Sequence, residues 1–215
     1  MPSPIDLNTS LLIWINNYII FSGDKMINRC EWANQESMRE YHDKEWGLPV
    51  HDDRKLFEFI ILEGAQAGLS WNTILKRRKG YQKAFKDFNP IEIADFGEAD
   101  IESLMQNSDI IRNRLKINSA ISGAKAFLEI QKKYGSFDSY IWSFVQGKPK
   151  VNKIKNIGEI SVFTNEAEEM SKSLKKSGFN FVGPTICYAF MQAVGMVNDH
   201  EIGCFRWSEV QKNIN

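Results

Sequence analysis

Apolar residues recur along this chain at spacings of three and four. No period-two alternation lasts the length of a strand, so helix is predicted almost throughout. KLFEFIILEGAQAG (55–68) reads as a strongly apolar helix. Ser70 is placed to cap the next one, WNTILKRRKGYQKAF, which exits through the FNP turn at 88–90. IEIADF and EADIESLMQN follow, then a long helix from about Arg112 to Tyr134 closed by Gly135, then the short apolar FDSYIWSFVQG. Asn165 and Glu168 have capping-box spacing ahead of EEMSKSLKKSG, with Gly178 suited to its exit. The last strong helix is PTICYAFMQAVG, with Pro184 in its first turn and Gly195 at its end. GKPKVNKIKNIGEISVFT (147–164) has no clear period and is predicted to be a loop. The pattern predicts one all-α domain over residues 26–215, preceded by an N-terminal extension, 1–25, without an assigned role.

Composition narrows the class. A 215-residue chain fits one core, and 43% hydrophobic with 12% aromatic residues excludes a disordered chain. The balance of 27 basic against 27 acidic residues gives no global attraction to polyanions. A nucleic-acid partner would therefore need a local basic patch. KRRK (76–79) and KSLKK (172–176) are candidates, though such a cluster is more often a solvated helix face. Three widely separated cysteines do not form a disulfide framework, so a reducing, cytoplasmic setting is expected. LLIWINNYIIF (11–21) is too short to span a bilayer and is broken by two asparagines. It reads as an amphipathic addition, or as sequence upstream of an alternative start at Met26; no membrane partner is expected.

Some residue types stand out against that background. His200 and Cys204 are four apart, a spacing that on a helix places both on one face. With Cys30 and His42, they make a Cys2His2 set suited to tetrahedral zinc, and four protein ligands would leave no open position for a catalytic water. The spacing matches no standard zinc-finger pattern, so a buried cysteine and a satisfied histidine remain the simpler reading at this point. Cys187 lies in an apolar helix and reads as core, and His51 as a solvated loop residue. Glu63 sits inside an apolar run, where an unpartnered charge is costly. It would need either a function or a Lys/Arg partner on its helix face.

Three longer segments add a resemblance. EYHDKEWGLP (40–49), LEGAQAGLSWNTILKRR (62–78) and FNFVGPTICYAFMQAVGMVNDH (179–200) resemble the DNA-3-methyladenine glycosylase I family, within the helix-hairpin-helix glycosylase group. The likeness runs in order from about Cys30 to Cys204. It implies one structural zinc on Cys30, His42, His200 and Cys204, clamping the N- and C-terminal segments together. It also implies a monofunctional base-excision enzyme, expected to be monomeric. Such an enzyme acts on double-stranded DNA carrying alkylated purines, flips out 3-methyladenine, hydrolyses its N-glycosidic bond and releases the free base. A methylated purine is cationic, and Tyr41, Trp46 and Trp71, with Trp32 a weaker candidate, offer aromatic faces for it. The family's pocket glutamate corresponds to Glu63, a base-binding and electrostatic catalytic residue. Leu69 corresponds to an apolar wedge that fills the vacated stack. Gly183 and Thr185, in the hairpin FVGPT (181–185), would bring backbone N–H groups to a phosphate.

Two departures qualify this. Asn198 stands where many helix-hairpin-helix glycosylases carry a catalytic Asp, with Asp199 one step later; a cationic base leaves readily, so the family generally does without that carboxylate. Met38 replaces a tyrosine common in the family's pocket, which implies weaker cation–π attraction. A non-catalytic DNA- or base-binding module is the rival reading.

Overall fold

Glycine and asparagine punctuation divides the chain into short helices around one long one. The computed structural model describes residues 27–212, together with Trp14–Ile15 and Tyr18–Ile19. The helices are α1 (Glu36–Lys44), α2 (Asp53–Gln66), α3 (Trp71–Leu75), α4 (Arg78–Ala84), α5 (Pro90–Ala94) and α6 (Glu98–Gln106). They continue with α7 (Arg114–Tyr134), α8 (Phe137–Trp142), α9 (Asn165–Lys176), α10 (Pro184–Ala193) and α11 (Phe205–Lys212).

α7 is the central post. Asn113 caps it by accepting from the Lys116 N–H, and Ile117, Ala120, Ile121, Ala124, Phe127 and Ile130 give it a continuous buried stripe. Against that stripe pack α2, α5, α6 and α8. The rings of Phe57 and Phe127 lie 4.7 Å apart, and those of Phe127 and Phe137 4.4 Å. α2 is buried on almost every side, which explains its lack of a polar face. α9 and α10 pack on each other and are joined by residues 177–183. Gly178, with φ 107°, lies just past the end of α9, and the Phe179 N–H returns to the Leu174 carbonyl.

Gly195 shows how tightly α10 must turn. It has φ 72°, and a Cβ there would lie 2.3 Å from the Leu48 carbonyl carbon, so any other residue would collide with backbone. The close pass lets the 47–50 segment hydrogen-bond to the end of α10, through Gly47 N–H to Gln192 O and Val50 N–H to Val194 O.

The structure corrects several expectations. The helix predicted over WNTILKRRKGYQKAF is broken at Lys76–Arg77 into α3 and α4, and Arg78 reaches Glu45 and Glu58. Asn165 is not a cap: the Thr164 side chain accepts from the Ala167 N–H one step earlier, so the Asn165/Glu168 box does not form. The chain is mostly rather than wholly helical. β1 (Trp14–Ile15) and β2 (Tyr18–Ile19) pair antiparallel, and β3 (Lys150–Val151) pairs parallel with β4 (Val197–Asn198). The remaining expectations for residues 1–25, and the Met26 start, lie outside the described residues. Among the described residues, no helix is long and apolar enough to cross a membrane.

Candidate functional site

The apolar run of α2 carries one carboxylate inward. Glu63 is 3% exposed, and its Oε2 has no hydrogen-bond partner among the described residues. The Lys or Arg partner that a helix-face role would require is not found among the described ion pairs. Burial alone pushes its carboxyl up to about 8, so it carries a proton at neutral pH until something cationic meets it. It lines a cavity of about 430 Å³, within the usual span for a small-molecule site.

Tyr41, Trp46 and Trp71, the three rings singled out in the sequence, line the same cavity, as do Trp32 and Met38. Tyr41 and Trp71 rings lie 5.4 Å apart, and Trp32 meets Trp46 edge-on at 4.9 Å. Burial, then the charge of Glu63, pushes the Tyr41 hydroxyl well above its ordinary range. A deep acid ringed by indole and phenol faces is chemically suited to a flat, electron-poor ring. Sequence reasoning missed five further walls: Gln66, Ala189 and Gln192, and Ile157 and Ile160 from the 147–164 loop. Gln192 was findable as the one amide in the apolar α10. The two isoleucines carried no signal, because the loop has no period.

Hydrogen bonding shows what Asn198 and Asp199 hold in place. Asn198 donates to the Trp207 carbonyl and accepts both the N–H and Nδ1 of His200. Asp199 is buried and accepts from Asn152, Tyr188 and Gln192 at 2.6–2.7 Å. Both side chains are committed to architecture.

Three of the four predicted ligands converge. Cys30, His42 and Cys204 are buried with their ligand atoms within 4.8 Å of one another, a group that could hold a metal ion. His200 lies beside them, its ring 5.1 Å from that of His42. In both histidines Nδ1 is taken, by Asp43 for His42 (2.8 Å) and by Asn198 for His200 (2.9 Å), which leaves Nε2 as the donor atom. His200 Nε2 is buried without a partner, and burial holds that imidazole down to about 3, hence neutral. The two cysteines share a proton: the hydrogen bond from Cys30 holds Cys204 down to about 4 and pushes Cys30 up. A thiolate and two lone-pair imidazole nitrogens are what a soft divalent ion takes. Gly47 makes room, since a Cβ there would be 2.6 Å from His200 Cε1. One expectation fails: His200 and Cys204 share no helix. His200 follows β4 and Cys204 ends a turn before α11, with its N–H on the Glu201 carbonyl. Trp46 joins the two centres, its ring 4.5 Å from His200 and its other side on the cavity.

Leu69 is 39% exposed in the short loop between Gln66 and Trp71, both cavity residues. The Lys116 ammonium fixes that loop by donating to the Ala65 and Ala67 carbonyls at 2.8 and 2.7 Å. Gly183 precedes α10, Pro184 opens it and Thr185 follows in its first turn, at the end of the 177–183 connection, where Phe181 has the unusual φ of 52°. Of the two basic clusters, KRRK is partly consumed, because Arg78 is paired with Glu45 and Glu58. In KSLKK, Lys172 pairs with Glu168. Cys187 is core, as expected, and His51 is exposed but pairs with Asp138 and stacks on Trp142.

Comparison with known proteins places these features. The family model described as methyladenine glycosylase matches residues 32–207. DNA-3-methyladenine glycosylase 1 of Escherichia coli (strain K12) is 48% identical over 179 residues, covering 83% of this chain and 96% of the relative. The DNA-3-methyladenine glycosylase of Haemophilus influenzae (strain Rd) is also 48% identical, over 180 residues and with 83% and 97% covered. A crystal structure of a 3-methyladenine DNA glycosylase I matches with a TM-score of 0.81 at 50% identity, over 83% of this chain and 98% of that one. The Staphylococcus aureus 3-methyladenine DNA glycosylase I, whose structure concerns 3-methyladenine recognition, matches at 0.81 and 36% identity, over 83% and 96%. With a matched model over most of its length and relatives of this closeness, the chain belongs to the methyladenine glycosylase family.

Proposed function

We propose that this protein is a base-excision glycosylase that removes 3-methyladenine from alkylated duplex DNA by hydrolysing the N-glycosidic bond. The observation that carries the reading is Glu63, a buried carboxylate without a partner in a cavity walled by Tyr41, Trp46 and Trp71. A 3-methylated adenine in DNA is a cation. Entering this cavity, it meets aromatic faces and an acid that its charge makes easier to ionise. When the bond from the sugar C1′ to the base breaks, the electron pair goes to the base, which departs neutral without needing a proton. Water adds at C1′ and releases a proton. Ionised Glu63 stabilises the positive charge developing on the sugar. With Asp199 and Asn198 hydrogen-bonded elsewhere, Glu63 acts without a second carboxylate, and the range is confined to bases that already leave well.

The remaining assignments belong to the same proposal. Cys30, His42, Cys204 and the unpartnered Nε2 of His200 would hold one structural zinc, which supplies a cross-link and no reactive water. α9 and α10 with residues 177–183 form the helix-hairpin-helix element, Gly183 and Thr185 presenting backbone to a phosphate. Leu69 fills the gap left by the flipped nucleotide. The decisive test is chromatographic detection of free 3-methyladenine released from methylated duplex DNA by metal-loaded protein. Glu63→Gln should fold, bind the free base more weakly and release it more slowly. Base binding without release by the parent protein would make it a binding module instead.

A further inference from the structure

Residues 147–164 separate α8 from α9, and they are the least regular part of the described chain. They are nonetheless anchored. Lys150 N–H donates to Met196 O, Asn152 N–H to Asn198 O, and Ile202 N–H to Ile154 O, while Trp207 Nε1 donates to Asn152 O. The strap is thus tied along the segment that carries His200. From that anchorage it runs to the cavity, where Ile157 and Ile160 form part of the wall. Ile157 is 45% exposed, so this wall is also part of the rim.

Charge is distributed unevenly on it. The strap holds four lysines, Lys148, Lys150, Lys153 and Lys155, against one acid, Glu159, in a chain whose overall charge is zero. Lys150 pairs with Glu166. Lys148, Lys153 and Lys155 are exposed and in no ion pair among the described residues. Ile154 is buried between Lys153 and Lys155, which fixes the backbone while both ammonium groups stay in solvent. A strand whose nucleotide is swung into the cavity carries its flanking phosphates past the mouth. Point charges on a pinned backbone beside the mouth are the chemistry that would meet them.

We infer that the 147–164 strap is a DNA-backbone clamp: Lys148, Lys153 and Lys155 contact phosphates flanking the flipped nucleotide while Ile157 closes over its base. This rests on the proposed glycosylase reading. It also relocates part of the basic surface, since the more obvious KRRK cluster gives Arg78 to an internal network.

The test compares full-length protein with the triple variant Lys148→Gln/Lys153→Gln/Lys155→Gln. Fluorescence anisotropy follows binding to a duplex containing a tetrahydrofuran abasic analogue over a range of salt. Loss of three phosphate contacts should flatten the slope of log K against log salt by roughly 2–3, at about 0.9 per contact. Binding of free 3-methyladenine should be unchanged, because these lysines lie outside the cavity lining. A control, Lys83→Gln/Lys86→Gln/Lys132→Gln, removes the same charge elsewhere and should change the slope by less than one contact's worth. An unaltered slope in the strap variant, or an equal change in the control, overturns the clamp. If the parent protein releases no 3-methyladenine, the glycosylase reading fails, while the slope comparison still decides the strap.

Discussion

Replacing Glu63 by glutamine should make the protein more stable, and increasingly so as pH rises. The folded carboxyl titrates near 8 against an ordinary 4.5, because the cavity strips water from it. Below 4.5 the group is protonated in both states and costs nothing. Between 4.5 and 8 the native state holds a proton the unfolded chain has released, so stability falls as pH rises; above 8 the penalty is constant. From pH 4.5 to 7 this amounts to about 3 kcal/mol, at about 1.4 kcal/mol per pH unit. Glutamine has no charge to desolvate, and any cost of burying its amide, about 1–3 kcal/mol, is the same at every pH. The gain of Glu63→Gln over the parent should therefore grow by about 3–4 kcal/mol between pH 5 and pH 8. Urea unfolding of both metal-loaded proteins at each pH measures it, with Tm differences of about 2–4 °C per kcal/mol as a second readout. A difference between the proteins that stays flat across that range would show that Glu63 is hydrated or paired, and would remove the physical basis of its proposed role.

Two further perturbations separate the remaining parts. Cys204→Ser should abolish bound metal, measured per chain by elemental analysis, and cost about 4 kcal/mol or more, in the range of the largest single-residue effects. Retained stoichiometric metal would refute the four-ligand clamp. Leu69→Ala should leave binding of free 3-methyladenine intact while slowing its release from duplex DNA by about tenfold, the scale of one lost apolar insertion at about 1.4 kcal/mol. Equal loss of both activities would place Leu69 in the cavity wall instead.

The sequence made the cavity legible where composition broke its own rule. Glu63 inside an apolar helix was visible as an anomaly, and it lies in the pocket. The four ligand candidates were visible as scarce residue types, yet spacing misplaced two of them. Cys204 meets Cys30 and His42 from a turn and His200 lies beside them past a strand end, a tertiary arrangement that helical spacing cannot encode. The break between α3 and α4 was hidden for a related reason. Arg78 looks like part of a solvated basic face until Glu45, 33 positions away, is seen accepting from it. Caps were readable to within one residue, Thr164 prevailing over Asn165. The walls given by Ile157 and Ile160 were illegible, because a strap held by long-range hydrogen bonds needs no local pattern.

The meeting of Cys30 with Cys204 has a consequence for biosynthesis. One half of the knot emerges from the ribosome 174 positions before its counterpart. Until translation passes that point, the segment of Tyr41 and Trp46 is held by Trp71, Arg78 and Gln192 but lacks the closure through Cys204. A nascent chain therefore leaves apolar surface beside Cys30 uncovered until that closure is made, the kind of surface that chaperones engage.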